Sequence, residues 1–544
     1  MGTSHSSPTM ACLAGLATAL LVLAAGLPAR TFFVGDSGVK LIVARNAIGH
    51  PRHPFNVDLP RIGANPVSLL DPFFYVHQDH AHAATSDIFA VMSAPFIDRL
   101  GIRGAYVLPA IGFLLAMAGI TWLGMELDRR RSPILLMFVV AVSTPLLFYA
   151  LEFWEHAPAI GLSALATALI VRQRRSITRF LVSGGLFGAS VLLRPEAVWY
   201  ALSAAALATC ALSRRLTLSE GVMLAVGIVI GASPLFLIPL IHSGNLLGVH
   251  LTSNLSDLHV AWFHNRLILG RTWFVPDRLA LGLLVLLVVS AIGVGLAGSD
   301  TSARTRQTTF VVLAGALSVA AALKAFPRES LANAAPLAAL ILTSPIESQR
   351  RGGRLFLLGT SALCSVLVVF TAPNDGGGQW GPRYLLFGFI PAAVLIADAL
   401  DMTWRSLRTV GRGAVSVMLI AASLVQLRGY MQLRNAKRAY AQLTDALERD
   451  SMPGSYVITD LWWLDQVTAS LYPTRTILFV DSATTARSTL QQLFYGVGIP
   501  NLVLVNSRTE SLAGPISSWI SGTGLTIAAT DNLSVRSLTI HVLR

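Results

Sequence analysis

The chain has 544 residues, of which 53% are hydrophobic and only 13% are charged. A soluble protein of this length needs a more charged surface, and a net charge of +13 would there suggest a nucleic-acid partner. Here the basic residues stand in short gaps between apolar runs, which is typical of a polytopic membrane protein and requires no nucleic acid. The three cysteines all lie in apolar runs, and they offer neither a disulfide framework nor a metal-binding spacing.

Apolar runs long enough to cross a bilayer of about 30 Å recur along most of the sequence. We therefore predict an α-helical polytopic membrane protein with about thirteen transmembrane helices. The predicted spans are 9–29, 105–125, 133–151, 157–172, 178–194, 197–213, 220–241, 278–298, 308–326, 332–346, 354–372, 384–403 and 413–429.

Every second gap between these spans carries arginines, as in "DRRRS", "RQRRS" and "QRRGGR". This asymmetry predicts that these gaps and the N-terminus are cytoplasmic, in a multi-pass protein of the plasma (inner) membrane. The first run could instead be a cleaved signal peptide, because "GLPA" precedes Arg30. It has no positive charge before it, so we expect a retained helix, and Asp36 is predicted to lie outside in either case.

The last hundred residues have a different pattern. The segments "SYVITD", "TILFVDS", "NLVLVNS" and "LTIAATD" are typical of short buried strands, and helical segments separate them. We predict a transmembrane domain over 1–429, with a long outer loop over 30–104, and a small extracytoplasmic α/β domain over 430–544 with a mostly parallel sheet.

The outer loop begins with "GDSGVK", in which Lys40 follows Asp36 by four residues. A carboxylate beside a membrane is partly desolvated and can serve as a general base. The alternative is that Asp36 is the N-cap of the helix predicted over "VKLIVARNAI". Further on, His77, Asp79, His80 and His82 could bind a divalent metal, although their spacing matches no closed zinc pattern and an ordinary solvated loop is the alternative.

Three more polar groups are predicted at outer helix ends. "LEFWEHA" brings Glu152, Glu155 and His156 within about one helical turn, where charged groups near hydrocarbon are costly unless paired or used. "LLRPEA" provides Arg194 and Glu196, and "WGPRYLL" provides Arg383 and Tyr384; the guanidinium groups suit phosphates. In each case an interfacial anchor is the alternative. The side chains of Arg194 and Arg383 would then reach to the membrane surface.

With these residues in place, the chain resembles the C-type (GT-C) membrane glycosyltransferases, whose relatives include the protein O-mannosyltransferases and the lipid A aminoarabinose transferases. "GDSGVKLIVARN" resembles the family's first outer-loop motif, "LEFWEH" its second acidic motif, "GASVLLRPEAVW" the end of its fifth span, and "WGPRYLLFGFIP" its late "RY-LP" segment. About thirteen spans followed by an outer domain are also similar to this family.

The resemblance implies sugar transfer from a polyprenyl-phosphate donor to a glycan, lipid or protein acceptor outside the cytoplasm, with inversion. Asp36 would be the base, and Glu155 would position the acceptor, hold a metal or support the base. Arg194, Arg383 and Lys40 would compensate the charge of the leaving phosphate, and Glu152, His156, Glu196 and Tyr384 would complete the substrate site. A divalent metal cofactor is left open. The cytoplasmic gaps are too short for a nucleotide-sugar domain.

Two other functions are consistent with part of the pattern. A transporter or flippase of a lipid-linked sugar would also carry charges near the membrane, but it would be expected to show internal repeats and broken helices at the midplane. A non-catalytic relative acting in envelope assembly would keep the fold without needing Asp36. Of these three functions, we expect that the protein is a glycosyltransferase.

Overall fold

The fold was examined in a computed structural model. The structure describes residues 6–33, 36–58, 61–62, 65–66, 74–77, 80–83, 85–172, 176–212, 216–248, 251–252, 255, 262–274, 301–323, 329–343, 351–374, 376, 379–406, 409–497, 502–507, 514–523, 525–533 and 537–543. The span predicted over 278–298 lies outside these residues.

Helices make up most of the first 450 residues. They are α1 (Ser6–Ala25), α2 (Ser37–Gly49), α3 (Asp87–Leu100), α4 (Val107–Leu127), α5 (Pro133–Ser143), α6 (Leu146–Ala150), α7 (His156–Val171), α8 (Ile177–Leu193), α9 (Ala197–Cys210), α10 (Leu218–Ala232), α11 (Pro234–Ser243), α12 (Trp262–Trp273), α13 (Thr301–Ala322), α14 (Leu331–Ala334), α15 (Arg351–Thr371), α16 (Phe389–Ser406) and α17 (Thr409–Asp450).

Among the residues described, five helical stretches are long and apolar enough to cross a membrane, and six shorter apolar helices accompany them. Helix α10 leaves large apolar side chains on its surface, with Val229 67% and Ile230 62% exposed. Such a surface is costly in water and suits lipid. The protein is therefore an integral membrane protein.

Two predicted spans differ in the structure. The segment predicted as a span over 332–346 forms the short helix α14 and a 3₁₀ turn at Ala338–Thr343. Pro336 separates them, because proline has no amide hydrogen to continue a helix. Helix α17 is much longer than the span predicted over 413–429: its 42 residues extend for roughly 63 Å, about twice the membrane core.

The segment after α2 forms a small antiparallel sheet with the strand order β1-β5-β4, from β1 (Val57–Asp58), β4 (Phe74–His77) and β5 (His80–Ala83). A separate two-stranded ladder joins β2 (Arg61–Ile62) to β3 (Asn65–Pro66). This region lies beside α2 and precedes α3.

The C-terminal part is a five-stranded sheet with the order β7-β6-β8-β10-β9. Its strands are β6 (Tyr456–Thr459), β7 (Thr476–Phe479), β8 (Leu502–Ser507), β9 (Ile527–Asn532) and β10 (Leu538–Leu543). Strand β6 pairs parallel with β7 and β8, whereas β10 pairs antiparallel with β8 and β9. The sheet is thus mixed rather than mostly parallel, because β9 and β10 form an antiparallel pair at one edge. Short helices accompany it: α18 (Leu464–Thr468), α19 (Ala483–Gln491) and α20 (Ile516–Ile520).

Helix α17 connects the membrane helices to this sheet without a break. Tyr440, Leu443 and Leu447 on its last turns are buried in one core with Val457 of β6 and Trp463. The division predicted between 429 and 430 therefore lies inside a helix, and the α17 end belongs to both parts.

The first turn of α7 packs closely against α4. A side chain added at Gly112 of α4 would lie 2.2 Å from the backbone nitrogen of Pro158, so only glycine allows this contact. Because Pro158 is in the first turn of α7, this packing holds the residues just before it, including Glu155, against the rest of the bundle.

Candidate functional site

Asp36 stands directly before α2, at the N-cap position. Its backbone is helical (φ −71°, ψ −5°), and its side chain makes no capping hydrogen bond. One turn later, the Lys40 ammonium lies 3.8 Å from Asp36 Oδ2, and the Asp36 side chain is 25% exposed. Asp36 therefore occupies the N-cap position without a side-chain capping bond, and its partly exposed carboxylate lies beside a buried lysine.

Glu155 lies between two cations just before α7. Its Oε2 is 2.7 Å from Lys40 Nζ, and its Oε1 accepts a 3.0 Å hydrogen bond from Arg194. Burial raises the pKa of the Glu155 carboxyl, but the charges of Lys40 and Arg194 outweigh burial and lower the pKa to about 2. A carboxylate held in this way is a poor proton acceptor and a good orienting group for its two partners.

Arg194 ends α8 and is shared between two glutamates. Besides its bond to Glu155, its Nε donates a 2.8 Å hydrogen bond to Glu196 Oε1. Arg194 is buried, so it does not reach to the membrane surface as the anchor interpretation required. It joins the ends of α7, α8 and α9 into one charged layer.

Arg383 and Tyr384 begin the 3₁₀ turn before α16. The Arg383 guanidinium lies 4.7 Å from the Tyr384 ring centroid and donates a 2.8 Å hydrogen bond to its hydroxyl, which donates to Asn374 at 3.2 Å. Within the described part of the chain, no carboxylate is at ion-pair distance from Arg383, and Arg383 Nε is buried without a hydrogen bond. Arg383 is thus a cation with capacity for a further anion.

The same residues are close to one another across the elements. Arg194 lies 5.9 Å from the centroid of the Tyr384 ring. Asp36 is near enough to Arg383 for the two charges to interact. Asp36, Lys40, Glu155, Arg194, Glu196, Arg383 and Tyr384 therefore form one group, which we call the charged cluster. Their roles in binding or catalysis remain predictions.

Glu152 does not join the charged cluster. Its Oε2 is 3.2 Å from Lys437 Nζ on α17, and that ammonium also donates a 2.8 Å hydrogen bond to the Tyr106 hydroxyl. The Thr31 hydroxyl donates to the Lys437 backbone carbonyl at 2.8 Å. Lys437 therefore connects α17 to the segment before Asp36 and to the turn that carries Glu155.

Beside the charged cluster, the segment at His156 is aromatic. The His156 ring lies 4.8 Å from that of Tyr149 and 5.8 Å from that of Trp154, and His156 and Tyr149 are both buried. Sequence reasoning included His156 and missed Tyr149, which stands inside an apolar run where nothing distinguishes it from a core tyrosine.

The predicted metal ligands do not form a ligand set in the described residues. Asp79 and the side chain of His77 lie outside them, His80 is 3.9 Å from Asp58, and His82 is buried. No group of three or more His, Cys, Asp or Glu side chains suited to a metal ion occurs in the part of the chain that is described.

Instead, His82 lines a small open cleft with Asp87 and His242. The rest of its wall is mainly apolar and comes from the end of α8, from α11 and from the residues that follow α11. It includes Leu193 and Pro195, on either side of Arg194. Asp87 is near enough to Lys40 for their charges to interact. The cleft therefore adjoins the charged cluster.

The C-terminal part packs directly on α2. A side chain added at Gly38 would lie 1.9 Å from the Gln466 carbonyl oxygen, so glycine is required two residues after Asp36. Arg45 of α2 donates to the carbonyl oxygens of Ala469 and Ser470, at 3.4 and 3.0 Å. The sheet domain thus supports the helix that positions Asp36.

Comparisons with known proteins identify the fold. No protein-family model matches the sequence, and no curated protein matches it. ArnT from Cupriavidus metallidurans bound to undecaprenyl phosphate superposes with a TM-score of 0.55 at 12% identity, covering 99% of this chain and 98% of ArnT. The Archaeoglobus fulgidus oligosaccharyltransferase AglB, in complex with an inhibitory peptide and a dolichol-phosphate, superposes with a TM-score of 0.50 at 14% identity, covering 92% of this chain and 69% of AglB. The chain has the fold of the GT-C membrane glycosyltransferases.

Proposed function

On this fold, we propose that the protein transfers a hexose or pentose from a polyprenyl-phosphate donor to an acceptor hydroxyl on the extracytoplasmic side of the plasma membrane. The charged cluster carries this proposal, because it contains a partly exposed carboxylate, Asp36, and a guanidinium, Arg383, with no carboxylate partner among the described residues. Those are the two groups needed to accept a proton and to receive a departing phosphate.

The proposed step assigns a different role to each carboxylate. Asp36 takes the proton from the acceptor hydroxyl as that oxygen attacks the anomeric carbon. The bond from this carbon to the phosphate oxygen breaks, and the lipid phosphate leaves with both electrons toward Arg383. Attack opposite the leaving group inverts the anomeric carbon. Glu155 stays ionised and fixes Lys40 and Arg194, since its depressed pKa makes it unsuited to accept the proton.

The comparison structures support a lipid-phosphate donor, since one contains undecaprenyl phosphate and the other a dolichol-phosphate. In this chain we place the start of the isoprenoid chain along the apolar wall of the cleft beside Arg194. Helix α4 separates the arginine-rich gap that follows it from Tyr106 at its other end, roughly 30 Å for 21 residues. Tyr106 contacts Lys437, whose partner Glu152 is three residues before Glu155. By the positive-inside rule, we place that gap in the cytoplasm and the charged cluster outside.

Mass spectrometry of envelope glycans tests this function. We compare cells that express the wild-type protein, the Asp36→Asn variant and no protein. We expect one sugar substituent to be lost without the protein and not restored by Asp36→Asn, although the variant reaches the membrane at normal levels. Full restoration by Asp36→Asn would overturn the enzymatic proposal in favour of an assembly role. Movement of a lipid-linked sugar across vesicle membranes without a new glycosidic bond would favour a transporter.

A further inference from the structure

Beside the charged cluster, two buried side chains in ring contact have no hydrogen-bond partner among the residues described. They are the Tyr149 hydroxyl and both ring nitrogens of His156. Tyr149 is 0% exposed and His156 is 3% exposed. Buried hydroxyl and imidazole groups are normally hydrogen-bonded, because removing them from water without a partner costs free energy. Two such groups in ring contact point to atoms supplied by a ligand.

These two side chains are held rigidly in place. The Tyr149 ring packs 5.4 Å from Trp154 and 5.5 Å from Phe148, and His156 packs against Tyr149 and Trp154. Because little rotamer freedom remains, a ligand that bonds to these groups does not have to order them.

Both side chains lie near the arginines of the charged cluster. Tyr149 and His156 are both near enough to Arg383 and Arg194 for electrostatic interaction. His156 also follows Glu155 directly in the chain. The donor sugar has to lie in this region, because its anomeric carbon is between the phosphate at Arg383 and the base at Asp36.

The chemistry of the pair fits sugar hydroxyls better than phosphate. A phenol hydroxyl can both donate and accept a hydrogen bond, and a neutral imidazole has one donor nitrogen and one acceptor nitrogen. His156 forms no hydrogen bond to a carboxylate in the described chain, and the three cations near it, Arg194, Arg383 and Lys40, outnumber the one carboxylate, Glu155. Alternating donors and acceptors match hydroxyl groups, whereas a phosphate is better matched by cations such as Arg383.

We propose that Tyr149 and His156 hydrogen-bond hydroxyl groups of the donor sugar and thereby select which sugar is transferred. This inference rests on the proposed glycosyl transfer. It separates recognition of the sugar, by Tyr149 and His156, from recognition of the phosphate, by Arg383. A site built to bond a hydroxyl rejects a donor that lacks it, because the protein groups are then left unpaired.

The chain offers a matched control in Tyr200. Like Tyr149, Tyr200 is 0% exposed, but its hydroxyl is 3.0 Å from the Thr167 hydroxyl and forms a hydrogen bond with it. Tyr149→Phe and Tyr200→Phe each remove one buried oxygen. Only the second removes an internal hydrogen bond, so we expect Tyr200→Phe to lower the melting temperature and Tyr149→Phe to leave it unchanged or raise it.

Native mass spectrometry of the full-length protein in detergent can measure the binding. The probes are undecaprenyl phosphate and undecaprenyl-phosphate-linked mannose, glucose and arabinose. We expect the wild type to bind at least one glycosylated carrier more tightly than undecaprenyl phosphate. Tyr149→Phe and His156→Phe each keep an aromatic ring but remove the polar atoms. Each should reduce this preference by about tenfold and leave the affinity for undecaprenyl phosphate unchanged. Tyr200→Phe should behave as the wild type.

Several results would overturn the inference. One is a wild type that binds every glycosylated carrier no better than undecaprenyl phosphate, and another is a Tyr149→Phe variant with an unchanged preference. Equal weakening of all four probes by Tyr149→Phe would instead assign the pair to the phosphate. If the wild type binds none of the probes, the proposed function itself fails along with the inference.

Discussion

The turn between α6 and α7 contributes one glutamate to each of two buried ionic groups. Glu152 forms a one-to-one pair with Lys437, whose ammonium also contacts the Tyr106 hydroxyl. Glu155 belongs to the charged cluster, in which Lys40 and Arg194 are paired but Arg383 has no carboxylate partner among the described residues. Buried charge alone therefore does not identify a functional site. The surplus cation, Arg383, distinguishes the group suited to an anionic ligand, since unpartnered buried oxygens occur in both groups.

The largest contrast is expected from double substitutions in the two groups. Lys437→Met alone should destabilise the protein by about 3 kcal/mol, because it leaves Glu152 buried and unpaired. Adding Glu152→Gln should recover most of that stability and most of the transfer rate. The double variant Arg194→Met with Glu155→Gln takes these partners from Glu196 and from the buried Lys40, so it should recover less stability, and its transfer rate should fall more than about a hundredfold. Melting curves and transfer assays of all the variants check this.

The comparison would be wrong if the Lys437 and Glu152 double variant were stable but inactive. In that case Lys437 would act on the reaction beyond connecting α17 to the segments that carry Asp36 and Glu155.

A smaller effect is expected at the unpaired cation. Arg383→Gln should weaken binding of undecaprenyl phosphate roughly tenfold to a hundredfold, because a charge-assisted bond to the phosphate is lost. Arg405→Gln is the control, since Arg405 pairs with Asp401 on an exposed helix face. Isothermal titration of the purified protein in detergent measures both variants. Equal losses in the two would show that general positive charge, rather than the site, binds the lipid.

The last prediction concerns stability rather than activity, at the contact between the sheet domain and α2. Burial raises the pKa of Asp465, next to Gln466, to about 8. Because the folded protein holds this proton more tightly than the unfolded chain does, stability is greatest below about pH 4 and decreases as the pH rises to 8. The slope is at most about 1.4 kcal/mol per pH unit. Asp465→Asn should flatten the dependence of melting temperature on pH between 5 and 8, and an unchanged slope would exclude Asp465 as its source.

The helical membrane architecture and most of the charged cluster could be predicted from the sequence, because charged residues at the ends of apolar runs can be recognised from the order of residues alone. Asp36, Glu155, Arg194 and Arg383 were found in this way. The partner of each charge was not, since Glu152 and Lys437 are 285 residues apart and meet only in the folded bundle. Tyr149 was missed for a similar reason: its unpaired hydroxyl depends on its neighbours. Hydropathy alone also misplaced the ends of two spans. It did not show that the helix over 331–334 ends before Pro336, or that α17 extends beyond the predicted span into the C-terminal domain.

The location of the lipid phosphate tests the central claim most directly. A cryo-electron microscopy structure of the wild-type protein with undecaprenyl phosphate would provide it. We predict that the phosphate lies within hydrogen-bond distance of the Arg383 guanidinium, on the side of the charged cluster that faces Asp36. A phosphate bound at the other end of α4, near the ion pair that Arg131 forms with Asp398 of α16, with the charged cluster unchanged, would contradict the account.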